Sequence, residues 1–290
     1  MEKVTIFDVA VMYTSTMVDG RTRARYEKVI TDWLKWCGQN AVDQTNPGRF
    51  AIEMYGRYRY EVDGCAKTTV RGELGVICGL YRYAYEEGCS DRDWGEHVRR
   101  PRIWNHSEGT FLDADQARDF VKALEHEKDD VKALCRLMLF HGLRLGETVG
   151  IDVDDCAARE DGMTISVKRK GGWKQVIAVP SKTHMIISRL LARRSTGPLI
   201  RNRGKRMSSD FARSSVSRIA KSIGAEGITP HSLRRTFCTL AREAGVPDPD
   251  IMAAGGWSNP AMLDYYDMSR RGRSTNVSME LEEYLRSAGS

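Results

Sequence analysis

The apolar positions in the first hundred residues recur at helical spacing. In "RTRARYEKVITDWLKWCG" the residues Tyr26, Val29, Ile30, Trp33 and Leu34 fall on one stripe, and Gly38 marks a stop. "TTVRGELGVICGLYRYAYEEG" repeats the pattern with Val70, Leu74, Ile77 and Tyr81 before Gly88. Both stripes read as core. "HVRRPRIWNHSEGTF" is basic, polar and broken by Pro101, the pattern of a linker, which puts a domain boundary near residue 105. Beyond it, Asp113 with Gln116 three residues on signals a helix start. The apolar run "VKALCRLMLFHG" follows, with a break at Gly142 and a new helix close to Arg144. The period then changes to alternation. "MTISVKRKGGWKQVIAVP" sets Ile165 and Val167 in one arm of a hairpin and Val176 and Ala178 in the other, with Gly171-Gly172 at the turn. Helices return at "HMIISRLLARR", "SSDFARSSVSRIAKSIG" and "TPHSLRRTFCTLAREAG". The pattern predicts a mainly α chain with a small antiparallel β-sheet, in two domains, 1–104 and 105–290.

A length of 290 residues suits two domains with a core each. Hydrophobic content of 41% and charged content of 29% fit a globular protein, and no run of about 18 apolar residues predicts a membrane span. With no signal-peptide pattern at the N-terminus, the expected location is cytoplasmic, without a membrane partner. The seven cysteines are scattered singly, so neither a zinc site nor a disulfide framework is expected. The net charge is +6, but 168–221 carries 15 Lys and Arg against one acid, Asp210, while 106–167 carries 14 acids against 7 bases. So one-sided an excess points to a polyanionic partner, DNA or RNA.

The most informative stretch is "TPHSLRRTFCTLAREAG". Thr229 is a good N-cap, Pro230 suits the first helical position, and Gly245 closes the end. His231 and Arg234, three apart, project together from the first turn, where the helix dipole disfavours cations unless something negative sits there. Arg144 lies at the glycine-flanked break in "HGLRLGE", with Glu147 one turn on to orient it, and Lys170 lies at the hairpin turn. Tyr265 and Tyr266 follow "GGWSN". Two arginines, a lysine, a histidine and a tyrosine, with no clustered metal ligands, suit metal-independent phosphoryl transfer to tyrosine; no cofactor is expected. Either tyrosine could be the nucleophile on these grounds alone.

"HGLRLGE", "KRKGGWKQVIAVP", "PHSLRRTF" and "GGWSNPAMLDYY" occur in the order, and at roughly the separations, of the tyrosine recombinase (phage integrase) family, which the chain resembles over about residues 110–268. The resemblance implies an α-helical, SAM-like core-DNA-binding domain followed by an α+β catalytic domain with a C-terminal tail. It places the nucleophile nine residues after the His or Trp that follows a glycine, which from Trp257 is Tyr266. Neighbouring helical residues point about 100° apart, so Tyr265 faces elsewhere. The implied catalytic set is Arg144, Lys170, His231, Arg234, Trp257 and Tyr266. The two arginines would stabilise the pentacovalent phosphate, His231 would assist a phenol that ordinarily titrates near about 10, and Lys170 would protonate the leaving 5′-oxygen. Trp257 stands where many members have His. The hairpin turn is about two residues longer than the commonest form, so Lys168 or Lys174 could replace Lys170.

The implied activity is site-specific recombination of double-stranded DNA through a 3′-phosphotyrosyl intermediate. The expected assembly is a homotetramer on two DNA sites, from protomers that are monomers or dimers when free. The site is expected to be a short core with inverted repeats, because the first helix begins too near Met1 to leave room for an arm-binding domain. The alternatives are strand relaxation of the type IB topoisomerase kind, or DNA binding without cutting. The tail offers Ser278 as a cap for a short segment in which Leu281, Tyr284 and Leu285 share a face, and the resemblance implies that it packs on the next protomer.

Overall fold

Side-chain caps open the first two helices of the N-terminal part, and a buried stripe runs along each of its four. The computed structural model describes residues 4–103, 109–160, 162–169 and 171–266, and the chain divides after residue 105 into two units. In the first unit, α1 (Ile6–Ser15) opens on a reciprocal Thr5–Asp8 capping box. Helix α2 (Gly20–Gln39) opens on Asp19, whose carboxylate accepts from the Thr22 N–H. It buries Val29, Ile30, Trp33 and Cys37. The helix passes through Gly38 rather than stopping there, because an interior glycine costs only about 1 kcal/mol and Cys37 extends the buried stripe. Helices α3 (Gly48–Glu61) and α4 (Lys67–Glu86) complete the unit, and Val70, Leu74, Ile77 and Tyr81 of α4 are buried as the spacing predicted. The Trp33 indole N–H donates to the Tyr81 hydroxyl at 3.0 Å, which donates to the Gln44 carbonyl at 2.7 Å. Arg59 pairs through two nitrogens with Glu73, tying α3 to α4.

The second unit begins with α5 (Ala114–Ala123), held by the Asp113–Gln116 capping box. Next, α6 (Asp129–His141) is apolar on nearly every side and runs through the middle of the core. A short α7 (Leu145–Val149) leads to the antiparallel sheet of β1 (Cys156–Arg159), β2 (Gly162–Lys168) and β3 (Lys174–Ala178). Then come α8 (Ser181–Leu191), a two-residue hairpin of β4 (Arg201–Asn202) and β5 (Lys205–Arg206), and α9 (Ser209–Ser222). Helices α10 (Pro230–Glu243), α11 (Asp248–Gly255) and α12 (Pro260–Tyr266) close the described chain. Among the described residues no helix is long and apolar enough to cross a membrane.

The β2–β3 hairpin forms over the expected stretch, with its turn at Gly171-Gly172. Lys168 pairs with Lys174 and Ile165 with Ile177, so Ile177 joins Met163, Ile165 and Val167 on the buried face, while Val176 and Ala178 face outward. The turn sets this register: the Arg169 N–H donates to the Trp173 carbonyl and the Gly172 N–H to the Arg169 carbonyl, with Gly171 at φ 99° and Gly172 at φ 87°.

The charge asymmetry is partly internal. Among the described residues, six carboxylates of the acidic segment pair with bases of the segment after it: Glu127 with Arg218, Asp129 with Arg189, Asp130 with Arg194, Glu147 with Arg169, Asp152 with Arg206 and Asp155 with Lys174. Part of the basic excess that looked like a polyanion surface is therefore spent inside the unit.

Candidate active site

Two chain breaks and one helix start build the site. Helix α6 ends at Gly142, in the left-handed region at φ 58°; a Cβ there would also lie 2.4 Å from the Phe237 ring. The chain then turns so that Arg144 is the N-cap of α7. Its backbone N–H donates to Glu147 Oε2 at 2.8 Å and its Nη1 to Glu147 Oε1 at 2.8 Å, leaving the guanidinium about a third exposed. Glu147 is buried, which by itself would raise its pKa. The hydrogen bonds from Arg144, with the charges of Arg169 and Arg144, outweigh this and hold the carboxyl below its ordinary value.

Helix α10 starts on a reciprocal Thr229–Ser232 box, which aims His231 and Arg234 off its first turn. Arg234 is 1% exposed. Its Nη1 donates to the Gly142 carbonyl and, at 2.7 Å, to the Gly255 carbonyl. Its Nε and Nη2 are buried with no protein partner among the described residues. Burial first, then the charge of Arg144, lowers its pKa to about 10, so it stays protonated at neutral pH. His231 keeps a solvent-exposed edge while its other face packs on Tyr266, with ring centroids 5.1 Å apart. Loss of water on that face, then the charges of Arg235, Arg234 and Arg144, pushes its pKa down to about 4. The imidazole is neutral at pH 7.

The end of α11 brings in the remaining two residues. Gly256 terminates it at φ 65°, and Gly255 must lack a side chain because a Cβ would lie 2.0 Å from Trp257. Trp257 is stacked on Phe237 on one side, lies under the Arg234 guanidinium at 4.0 Å, and touches Tyr266 at 5.3 Å between rings. Its indole N–H is buried without a partner among the described residues. Tyr266 is 6% exposed and Arg234 stands 5.5 Å from its ring, whereas Tyr265 is half-buried and meets Tyr266 edge-on at 89°.

Arg144, His231, Arg234, Trp257 and Tyr266 are therefore brought together. Lys170 lies outside the described residues, as does the tail from residue 267 on, so the expectations about Ser278 to Ser290 fall there too. Lys168 and Lys174 are both exposed on the hairpin, and Lys174 approaches Asp155 at 3.9 Å. Arg169, between two lysines, is what the sequence reading passed over. It is buried against Glu147, Gln175 and the Ala254 carbonyl. The alternation of β2, with 163, 165 and 167 inward, continues to 169 and was the available signal. Chemically, the site surrounds a phenol with cationic and neutral hydrogen-bond donors, an environment for an anion bonded to that phenol.

A model of the phage integrase family matches residues 110–273. The chain belongs to that family. All six residues expected to be catalytic fall within the matched stretch of this integrase-family chain. The tyrosine recombinase XerC of Thermodesulfovibrio yellowstonii is 31% identical over 192 residues, covering 61% of this chain and 63% of the relative. The tyrosine recombinase XerD of Mycobacterium leprae is 30% identical over 195 residues, covering 59% of this chain and 60% of the relative. The chain thus matches just under two thirds of the length of these relatives. A crystal structure of a lambda integrase (75–356) dimer bound to a COC′ core site superposes with a TM-score of 0.72 at 16% identity, covering 93% of this chain and 97% of that one, a likeness of fold.

Proposed function

We propose that this integrase-family chain is a site-specific DNA recombinase that cuts and rejoins duplex DNA through a 3′-phosphotyrosyl intermediate, without metal or ATP. One observation carries the reading: a guanidinium 1% exposed, with two nitrogens lacking protein partners among the described residues, set beside a buried tyrosine. Burying such donors unpaired is costly unless a ligand takes them, and a phosphodiester's nonbridging oxygens suit the fork.

In this mechanism the Tyr266 oxygen attacks phosphorus and the bond to the 5′-oxygen breaks. Arg144 and Arg234 hold the nonbridging oxygens as charge grows on them, and the Trp257 N–H adds a donor. Neutral His231 hydrogen-bonds the phenol or takes its proton; the anionic phosphate offsets the arginine charges that depress its pKa. Lys170 protonates the departing 5′-oxygen. The phosphotyrosyl bond conserves the diester's energy, so a 5′-hydroxyl of a second duplex can reverse the step. Residues 1–104 act as the core-DNA-binding domain and 105–290 as the catalytic domain. The working assembly is a homotetramer on two short core sites, with the tail from Ser278 docking on the next protomer. The tetramer is supported by a structural neighbour, a lambda integrase tetramer bound to a Holliday junction.

A duplex nicked beside the cleavage site, which loses its 5′-hydroxyl fragment on cutting, tests the reading. A trapped covalent adduct together with exchange between two duplexes is expected. An adduct without strand exchange would indicate topoisomerase-like relaxation, and binding without an adduct would indicate a non-cutting DNA-binding protein.

A further inference from the structure

Three consecutive carbonyls at the end of α11 are each taken by a side chain from another element. Gln175 Nε2 donates to the Ala253 carbonyl at 2.9 Å, Arg169 Nη2 to that of Ala254, and Arg234 Nη1 to that of Gly255 at 2.7 Å. The last carbonyls of a helix have no intrahelical donor and carry partial negative charge, so buried cations are stabilising there. Arg169 reaches further. Its side chain is 1% exposed and every guanidinium nitrogen is bonded: Nε to Gln175 Oε1 at 2.8 Å, Nη1 to Glu147 Oε2 at 2.9 Å, and Nη2 to Ala254. Glu147 in turn holds Arg144 with its other oxygen. One carboxylate therefore stands between two arginines. Arg144 and Glu147 alone would present almost no net charge to a phosphate; the second guanidinium restores a net positive one.

We propose that Arg169 is a positioning residue for the reaction: it neutralises Glu147 so that the charge of Arg144 is available to the scissile phosphate. At the same time it clasps the β2–β3 hairpin to the end of α11, from which Trp257 and Tyr266 follow. The inference rests on the recombinase reading. It ties three catalytic parts, the Arg144 cap, the hairpin turn and the nucleophile segment, through one planar fork. Lysine can replace the charge but not the fork, since a single ammonium cannot meet three acceptors spread around a plane.

The test is single-turnover adduct formation by the full chain and its Arg169→Met and Arg169→Lys variants. Each is given a normal nicked duplex and one with sulfur in place of the bridging 5′-oxygen, whose thiolate leaves without needing a proton. Arg169→Met should slow adduct formation roughly a hundredfold on both substrates, with affinity for uncut duplex within about threefold of wild type. Arg169→Lys should recover to about tenfold below wild type. The inference is overturned if Arg169→Met cleaves like wild type, if its defect vanishes on the sulfur substrate, or if affinity falls in parallel with rate. Should Arg169→Met not fold, an unimpaired Arg169→Lys overturns it. Wild type forming no adduct on either substrate removes the recombinase reading and this inference with it; wild type active beside an equally active Arg169→Met removes the inference alone.

Discussion

Replacing Arg234 by lysine separates the charge at the centre of the site from its geometry. Alanine would confound the result, because the Arg234 side chain is fully enclosed and holds the Gly142 and Gly255 carbonyls. A lysine ammonium can reach that carbonyl pair, but it cannot also offer two parallel donors to a phosphate. Losing donors that act mainly on the transition state reduces cleavage by about 10²–10³, or roughly 3–4 kcal/mol. Ground-state affinity should fall less than about tenfold, since the rest of the duplex contacts persist. The environment adds a second signature. Burial and Arg144 lower the arginine to about 10. The same environment acting on lysine, ordinarily about 10.4, pushes it down in the same direction. Only the protonated lysine can serve the phosphate, so the variant's residual cleavage should decline as pH rises from 7 to 9 while wild type does not. Quenched-flow adduct formation, with binding measured separately by fluorescence anisotropy, reads both effects. Equal losses in rate and affinity, or a pH profile parallel to wild type, would refute the assignment of Arg234 to the transition state.

Two further outcomes follow from the same geometry. His141 is buried at the end of α6, and burial, then the charge of Arg169, pushes its pKa down to about 4. Because the unfolded histidine titrates near about 6.5, the unfolded chain binds more protons between these values, so this stabilisation is complete above about 6.5 and is lost as pH falls toward 4, up to about 3 kcal/mol. Urea denaturation at pH 7.5 and 4.5 should show His141→Gln losing less stability on acidification than wild type; identical losses would exclude the effect. DNA binding should weaken steeply with salt, yet Arg189→Ala and Arg218→Ala should leave the slope of log affinity against log salt unchanged, since both arginines are engaged with Asp129 and Glu127. A slope smaller by about 2 in the double variant would mean that they contact phosphates, and a flat dependence in wild type would remove DNA as a partner of residues 168–221.

What was legible in the sequence was what local punctuation and period encode. Val29, Ile30 and Trp33 of α2, the Asp113 and Thr229 caps, and the break at Gly142 depend on residues within a turn of one another. The relation of Tyr266 to His231 and Trp257 came from motif order, because no local rule distinguishes it from Tyr265. What was missed depends on partners far along the chain. Arg169 reads as one of three adjacent cations until Glu147, 22 residues earlier, is seen against it. The charge count of 168–221 does not show that part of its basic excess is paired with Asp129, Asp130 and Asp152. Strands β4 and β5, of two residues each, are too short to show any period.

The central claim is that the Tyr266 oxygen becomes bonded to DNA phosphate, and its most direct measurement is the site of the covalent bond. A nicked duplex labelled on the 3′-phosphate side should, after denaturation and proteolysis, leave its nucleotide on the peptide spanning residues 260–266, at the second tyrosine of the pair. Tyr266→Phe should bind the duplex with wild-type affinity and yield no labelled protein, whereas Tyr265→Phe should still be labelled. Label retained in Tyr266→Phe and lost in Tyr265→Phe would move the nucleophile by one residue. Absence of label in the wild type would contradict the account outright.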